Sequence, residues 1–125
     1  MAYDPYRKGT LLIPTGGTKH LFVIATNRCA NGAHLIVNIT TVRGPNIDAT
    51  CVLEAGCHRF VTGQSYAVYR MADIQSAERL GRMVDGWVYS VHDDASEELT
   101  QLVYDGVSQS RHTPKRILNY LSGTP

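Results

Sequence analysis

The fold is decided by residues 19–70, which contain three apolar segments: Leu21-Phe22-Val23-Ile24, Leu35-Ile36-Val37-Asn38-Ile39 and Ser65-Tyr66-Ala67-Val68-Tyr69. Glycine, proline and asparagine occur in the connections between these segments. Short runs of aliphatic, β-branched and aromatic residues between such turn residues are typical of β-strands. We therefore predict that residues 19–70 form the wall of a small β-barrel.

Strand patterns continue on both sides of this stretch. Residues 9–13 indicate a first strand that ends at Pro14, and residues 14–18 indicate a loop because they include two adjacent glycines. The second and third strands are predicted at residues 20–26 and 34–40. Further strands are predicted at residues 49–53, 57–61, 64–71 and 83–91.

Helical patterns are concentrated late in the chain. Residues 76–80 contain good helix formers for about one turn. Asp94, with Glu97 three residues later, resembles a capping box, and Thr113-Pro114 is typical of the start of a last short helix. Between them, apolar residues recur at the spacing of one buried helix face, at Leu99, Leu102, Val103 and Val107. The predicted fold class is mainly β with late helices.

Length and composition indicate one globular domain. The chain has 125 residues, of which 43% are hydrophobic and 18% charged, and domains commonly contain about 100 to 150 residues. We predict a single domain over residues 1–125. No apolar run approaches the roughly 20 residues that cross a bilayer, and residues 1–8 lack a signal-peptide pattern. We expect a cytoplasmic protein without membrane contact, whose three cysteines are reduced thiols.

The charge is distributed unevenly along the chain. Residues 1–70 hold seven Lys or Arg against three acids, residues 71–105 hold two against eight, and residues 106–125 hold three with no acid. A basic barrel beside an acidic segment indicates an anionic ligand on one face.

The order of these elements resembles the MazF/PemK toxin family over residues 9–110. The likeness is carried by Gly9-Thr10-Leu11-Leu12-Ile13, by the pair Thr40-Thr41 that ends the third strand, and by residues 65–74, where a strand enters a short helix. The resemblance implies an SH3-like β-barrel of the MazF and CcdB type with a C-terminal α-helix and a short terminal helix. It also implies a homodimeric endoribonuclease that cleaves single-stranded RNA without metal or other cofactor and is inhibited by an antitoxin protein.

Part of a catalytic site carries over with this resemblance. The catalytic threonine of the family corresponds to Thr40, and the family's Arg-Pro at the start of the second strand is here Lys19-His20. Lysine supplies charge without the planar, two-pronged grip of arginine on phosphate. We predict that Thr40 donates a hydrogen bond to the phosphate.

The remaining site residues are predicted from the chemistry of RNA cleavage. Histidine suits proton transfer because its unperturbed pKa is about 6.5, so His20 and His58 are predicted to act with Lys19 and Thr40 in catalysis. Tyr66 and Tyr69 face opposite sides of one strand, so only one belongs to the core and the other is available to stack a base. The predicted RNA-binding residues are Arg28, His34, Thr41, Arg59 and Tyr69.

Other interpretations of the same residues stay open. Each histidine also suits an ordinary hydrogen-bonding role, and a strand tyrosine also suits barrel packing. A non-catalytic SH3-like module that binds protein or nucleic acid is one alternative function. A zinc-stabilised barrel is the other, with ligands drawn from Cys51, Cys57, His58 and either Cys29 or His34, although this spacing lacks the close Cys pair of zinc knuckles.

Overall fold

The computed structural model describes residues 2–123. The strands are β1 Thr10–Thr15, β2 Thr18–Ile24, β3 Ala33–Thr41, β4 Val52–Leu53, β5 Ser65–Ser76 and β6 Ser90–His92, and the helices are α1 Ala77–Asp85, α2 Glu97–Gln109 and α3 Lys115–Gly123. The strands form one antiparallel sheet in the order β4-β5-β3-β2-β1-β6, curled into a half-barrel. The prediction of a mainly β fold with late helices is confirmed, while residues 1, 124 and 125 of the predicted domain lie outside the described residues.

Both faces of the sheet are covered, as the continuously apolar β2 predicted. On β3, Leu35, Val37 and Ile39 point into a large core that α2 and α3 complete, and Ile36 points into a smaller core beside α1. Successive residues of a strand face opposite sides, so a strand between two helical layers is apolar throughout.

The β1–β2 connection is tighter than predicted. Thr15 pairs with Thr18, so the loop predicted at residues 14–18 is a two-residue turn at Gly16-Gly17. Both glycines have positive φ, 58° and 86°, which is the geometry that short hairpins prefer. Pro14 continues the strand because β6 pairs with β1 only as far as Leu12, and a strand tolerates proline where it has no neighbour on one side.

The late helices begin later than the sequence patterns predicted. Ser96, not Asp94, caps α2, since its hydroxyl accepts from the Leu99 N–H at 3.0 Å. Asp94 accepts instead from the Tyr6 hydroxyl at 2.6 Å. At α3 the Thr113 hydroxyl donates to the Val107 carbonyl rather than capping the helix.

Four predicted strands were wrong in extent. The strand predicted at residues 64–71 continues to Ser76, so α1 begins only at Ala77. Residues 83–85 belong to α1, whose N-cap Ser76 accepts from the Arg79 N–H, so the last strand is only Ser90–His92. The fourth strand is only Val52–Leu53. Residues 57–61 form no strand and belong to the loop between β4 and β5. No helix in the described range 2–123 has the length and apolar character to span a membrane.

The β4–β5 loop, residues 54–64, bridges the two edges of the sheet. His58 is 5% exposed, and its Nε2–H donates to the Asp93 carbonyl at 2.6 Å, just after β6. The Phe60 N–H donates to Nδ1 of the same ring at 3.0 Å. Because β4 and β6 are the edge strands, this histidine links the open sides of the half-barrel and holds Arg59 and Phe60 in place.

Candidate active site

A groove opens where β2 and β3 stop pairing. Their last paired residues are Leu21 and Ile39, beyond which Thr18–His20 and Thr40–Thr41 continue without pairing to each other. The groove has a volume of about 690 Å³. Its lining comprises Lys19, Arg43 and Arg59, the histidines His20 and His92, the hydroxyl residues Thr18, Thr40, Thr41, Thr62 and Ser65, and the apolar Ile39, Phe60 and Val61.

The groove is electropositive. Its three cationic side chains are exposed, and within residues 2–123 no Asp or Glu lines it. The Arg59 Nε contacts Asp93 at 3.1 Å, whereas Lys19 and Arg43 take part in none of the ion pairs in the described part of the chain. Unneutralised cations in a cleft raise the local concentration of an anionic ligand.

The two groove histidines differ in their bonding. His92 is half-buried, and its Nδ1 accepts from the Asp93 N–H at 2.8 Å, so the neutral ring carries its proton on Nε2 and can donate from there. In residues 2–123 the histidine side-chain hydrogen bonds are made by His34, His58 and His92, and none by His20. The half-buried His20 ring therefore has no hydrogen-bond partner among residues 2–123.

His58 does not line the groove. Both of its ring nitrogens are occupied, by the Asp93 carbonyl and by the Phe60 N–H, and its ring packs behind His92 with 5.1 Å between the centroids. The groove therefore does not include His58, for which a proton-transfer role was predicted. Its hydrogen bonds anchor the loop that carries Arg59 and Phe60.

Three predicted RNA-binding residues lie elsewhere. Arg28 pairs with Asp4 at 2.7 Å beside a separate cavity. His34 is 1% exposed, and its Nδ1–H donates to the Thr26 carbonyl at 2.9 Å. Tyr69 is fully buried and donates to the Val103 carbonyl at 2.8 Å, and burial raises the pKa of its hydroxyl. None of these three residues lines the groove.

The sequence interpretation missed Arg43, Phe60 and His92. Arg43 follows Thr40-Thr41 closely, at a Gly-Pro turn where a strand-end cation is exposed, so its position was a usable signal. Phe60 and His92 carry no motif and reach the groove only because the β4–β5 loop meets the end of β6.

The cysteines do not form a metal site with their neighbours. Within residues 2–123, no group of three or more His, Cys, Asp or Glu side chains is placed to hold a metal ion. Burial raises the pKa of the Cys51 and Cys57 thiols, which disfavours the thiolate that binds metal. The zinc-stabilised alternative thus lacks a ligand set in this part of the chain.

Two solved structures are similar to this curled sheet with helices on its faces. A solved endoribonuclease in complex with its cognate antitoxin, from Mycobacterial species, matches with a TM-score of 0.56 and 14% identity, over 88% of this chain and 97% of that one. A MazE–MazF structure from Deinococcus radiodurans matches with a TM-score of 0.54 and 12% identity, over 86% and 94%.

These structures establish the likeness at the level of fold. No protein-family model matches the sequence, and no curated protein is significantly similar to it. The chain has the fold of the MazF-type toxins, as the order of its strands predicted.

Proposed function

We propose that the protein is a metal-independent endoribonuclease that cleaves single-stranded RNA, as a toxin of a toxin–antitoxin system. The observation that carries this proposal is the groove, in which unpaired cations, two histidines and a row of hydroxyls converge without an acid. Cleavage of a sugar-phosphate chain requires these groups, because the charge of the phosphate must be neutralised while a 2′-hydroxyl loses its proton. The fold is also that of a solved endoribonuclease.

Each of these groove residues has a separate role in the proposed reaction. Lys19 and Arg43 neutralise the scissile phosphate, and Thr40 donates a hydrogen bond to a phosphoryl oxygen. His20 accepts the proton of the 2′-hydroxyl, whose oxygen then attacks phosphorus as the bond to the 5′-oxygen breaks. His92 donates from Nε2 to a second phosphoryl oxygen. The departing 5′-oxygen takes a proton from water at the open mouth, leaving a 2′,3′-cyclic phosphate.

Cleavage of a labelled single-stranded RNA in the presence of EDTA tests this proposal. The purified chain is expected to yield fragments with 2′,3′-cyclic phosphate ends, and chelation should leave the rate unchanged. His20→Ala, purified in the same way, should be inactive, and His112→Ala, an exposed histidine outside the groove, should be active. Equal cleavage by the wild type and His20→Ala would reveal a contaminating nuclease and remove the support for this site.

We further propose a cytoplasmic homodimer that an antitoxin protein inhibits. An antitoxin is present in the solved endoribonuclease complex, and a basic groove suits an acidic partner segment. Expression in a bacterial host should arrest growth, and His20→Ala should relieve the arrest. Light scattering of the purified protein should give twice the 13.8 kDa chain mass, and a mass of one chain would contradict the dimer.

A non-catalytic RNA-binding module is the second candidate. It is favoured by Lys19, which stands where the family has an arginine able to hold phosphate with two nitrogens. RNA binding by the groove without any cleavage would establish it in place of the nuclease.

A further inference from the structure

Two aromatic rings, Phe60 and His92, line one wall of the groove, and the buried His58 ring packs behind them. The Phe60 ring meets the His92 ring nearly edge-on, at 5.6 Å between centroids and 74° between planes. His92 in turn lies 5.1 Å from His58 at 50°. The innermost ring is buried, the middle one is half-buried, and Phe60 is 40% exposed.

Phe60 is held in this exposed position. Its own N–H donates to His58 Nδ1, the Val61 N–H donates to the His58 carbonyl at 2.9 Å, and the Gly56 N–H donates to the Val61 carbonyl at 2.9 Å. His58 is anchored to Asp93 across the sheet edges. An aromatic ring on a fixed loop binds a partner at low entropic cost, because little freedom remains to be lost.

The surroundings of Phe60 specify the chemistry of that partner. Lys19 and Arg43 in the same groove have no acidic partner among residues 2–123 and favour an anion, and an exposed ring beside them favours a flat aromatic group. A nucleobase of a single-stranded nucleic acid provides both, since each base is attached to a phosphate chain and offers a free face. Bases inside a duplex are already stacked, and an acidic peptide has no comparable face.

We propose that Phe60, supported by the edge-on ring of His92, forms a stacking site for one unpaired nucleobase on the wall of the groove. The inference rests on the proposed action on RNA and adds a base-binding position to it. Stacking on an aromatic side chain changes affinity by about 5- to 150-fold when the ring is removed. Phe60→Leu, which keeps an apolar side chain without a ring, is expected to weaken binding within this range.

The experiment measures binding of a fluorescent single-stranded 2′-O-methyl RNA octamer, which cannot be cleaved, against an octamer of the same backbone without bases. Phe60→Leu should lose affinity for the first strand only, and Phe60→Trp should restore it. Trp87→Leu is the matched control, because Trp87 is 92% exposed and lies outside the groove. An equal loss of affinity for both strands, or no loss for either, would overturn the stacking site.

A second readout follows from the single tryptophan of the chain. In the double variant Phe60→Trp with Trp87→Leu, the only indole sits at position 60. Its fluorescence should be quenched by the base-containing octamer and not by the baseless one, and equal responses would contradict stacking.

The two proposals fail separately. Octamer binding that depends on Phe60, together with wild-type protein that leaves natural RNA intact, would refute the nuclease and keep the stacking site. RNA cleavage by a protein whose octamer binding does not depend on Phe60 would refute the stacking site and keep the nuclease.

Discussion

The groove and a second region, here called the packed side, contain the same kinds of residue but use them differently. The packed side is formed by α2, α3 and residues 26–34. On the packed side Arg28 pairs with Asp4, and Arg7 holds both carboxylate oxygens of Glu97 at 2.7 Å. His34 donates to a backbone carbonyl. In the groove, Lys19 and His20 have no such partner among residues 2–123. The groove therefore differs from the packed side in that its unpartnered cation and imidazole are accessible to a ligand, whereas the one unpartnered nitrogen of His34 is buried.

The difference originates in the sheet. At the start of β3 the backbone is paired with β5, and Leu35 is completely buried. At its end, Thr40 and Thr41 remain paired with β5 but are not paired with β2. Where strands diverge, side chains face solvent and each other instead of a core. A ligand can therefore form hydrogen bonds and ion pairs with them.

The largest expected effect comes from removing the free imidazole of the groove. His20→Ala should lower the rate of RNA cleavage by about 10²- to 10⁴-fold, the usual contribution of a general base, while the melting temperature stays within the error of the wild type. Single-turnover cleavage and thermal unfolding measure the two quantities. A parallel loss of stability would mean that His20 supports the fold, and the contrast with the packed side would disappear.

A substitution on the packed side should lower stability and leave activity unchanged. A Cβ at Gly106 would lie within 2.5 Å of the buried Tyr69 Cζ, so Gly106→Ala should lower the free energy of unfolding by about 1 to 3 kcal/mol through overpacking. Cleavage per folded molecule should not change.

Urea unfolding of this variant is compared with that of Gly123→Ala, where the added Cβ has no neighbour within 4 Å. Equal stability of the two variants would show that the packing of α2 on Tyr69 is looser than the structure indicates.

The salt dependence of RNA binding should distinguish free cations from paired ones. Binding of an uncleavable RNA should weaken as salt rises, and Lys19→Ala should reduce the slope of log K against log salt by about 0.7, one phosphate contact of a single strand. Arg28→Ala, which removes a paired cation, should leave the slope unchanged. Anisotropy titrations between about 50 and 200 mM salt measure it, and equal slopes for all three proteins would place the RNA elsewhere.

The smallest effect concerns a carboxylate outside the groove. Burial alone would raise the pKa of Asp48, but hydrogen bonds from Ser110 and Thr50 outweigh it, and the pKa is lowered from 3.8. A carboxyl with a lowered folded pKa stabilises the fold above its unfolded pKa and loses that contribution as the pH falls through the folded value. Ser110→Ala should thus cost about 1 kcal/mol at neutral pH and less below pH 3.8.

Urea unfolding at neutral and acid pH tests this difference. Ser108→Ala is the control, because that exposed hydroxyl donates only to the Asp105 carbonyl at 3.5 Å. A cost of Ser110→Ala that does not change with pH would contradict the role of the Asp48 charge.

Local pattern was sufficient for much of the groove. Lys19, His20, Thr40 and Thr41 were predicted from the positions they share with the MazF/PemK family, and all four line the groove. Arg59 was found as well, although its place depends on the loop. Four predicted residues lie outside the groove, namely His58, Arg28, His34 and Tyr69. Each has a partner or cover that the local pattern does not contain. His58 bonds to a carbonyl 35 residues away, and Tyr69 to one 34 residues away.

Local sequence was enough to predict the central strands β2 and β3, the late helices and the basic character of the first 70 residues, because alternation, turn residues and charge are local properties. Only the folded chain shows which polar side chains are bonded inside the protein and which stay available to a ligand. Burial and hydrogen bonding depend on contacts between distant segments, as where His58 meets Asp93 and brings Phe60 and His92 to the groove. The pairing of β2 with β3 ends at Leu21 and Ile39, and this limit leaves the groove open.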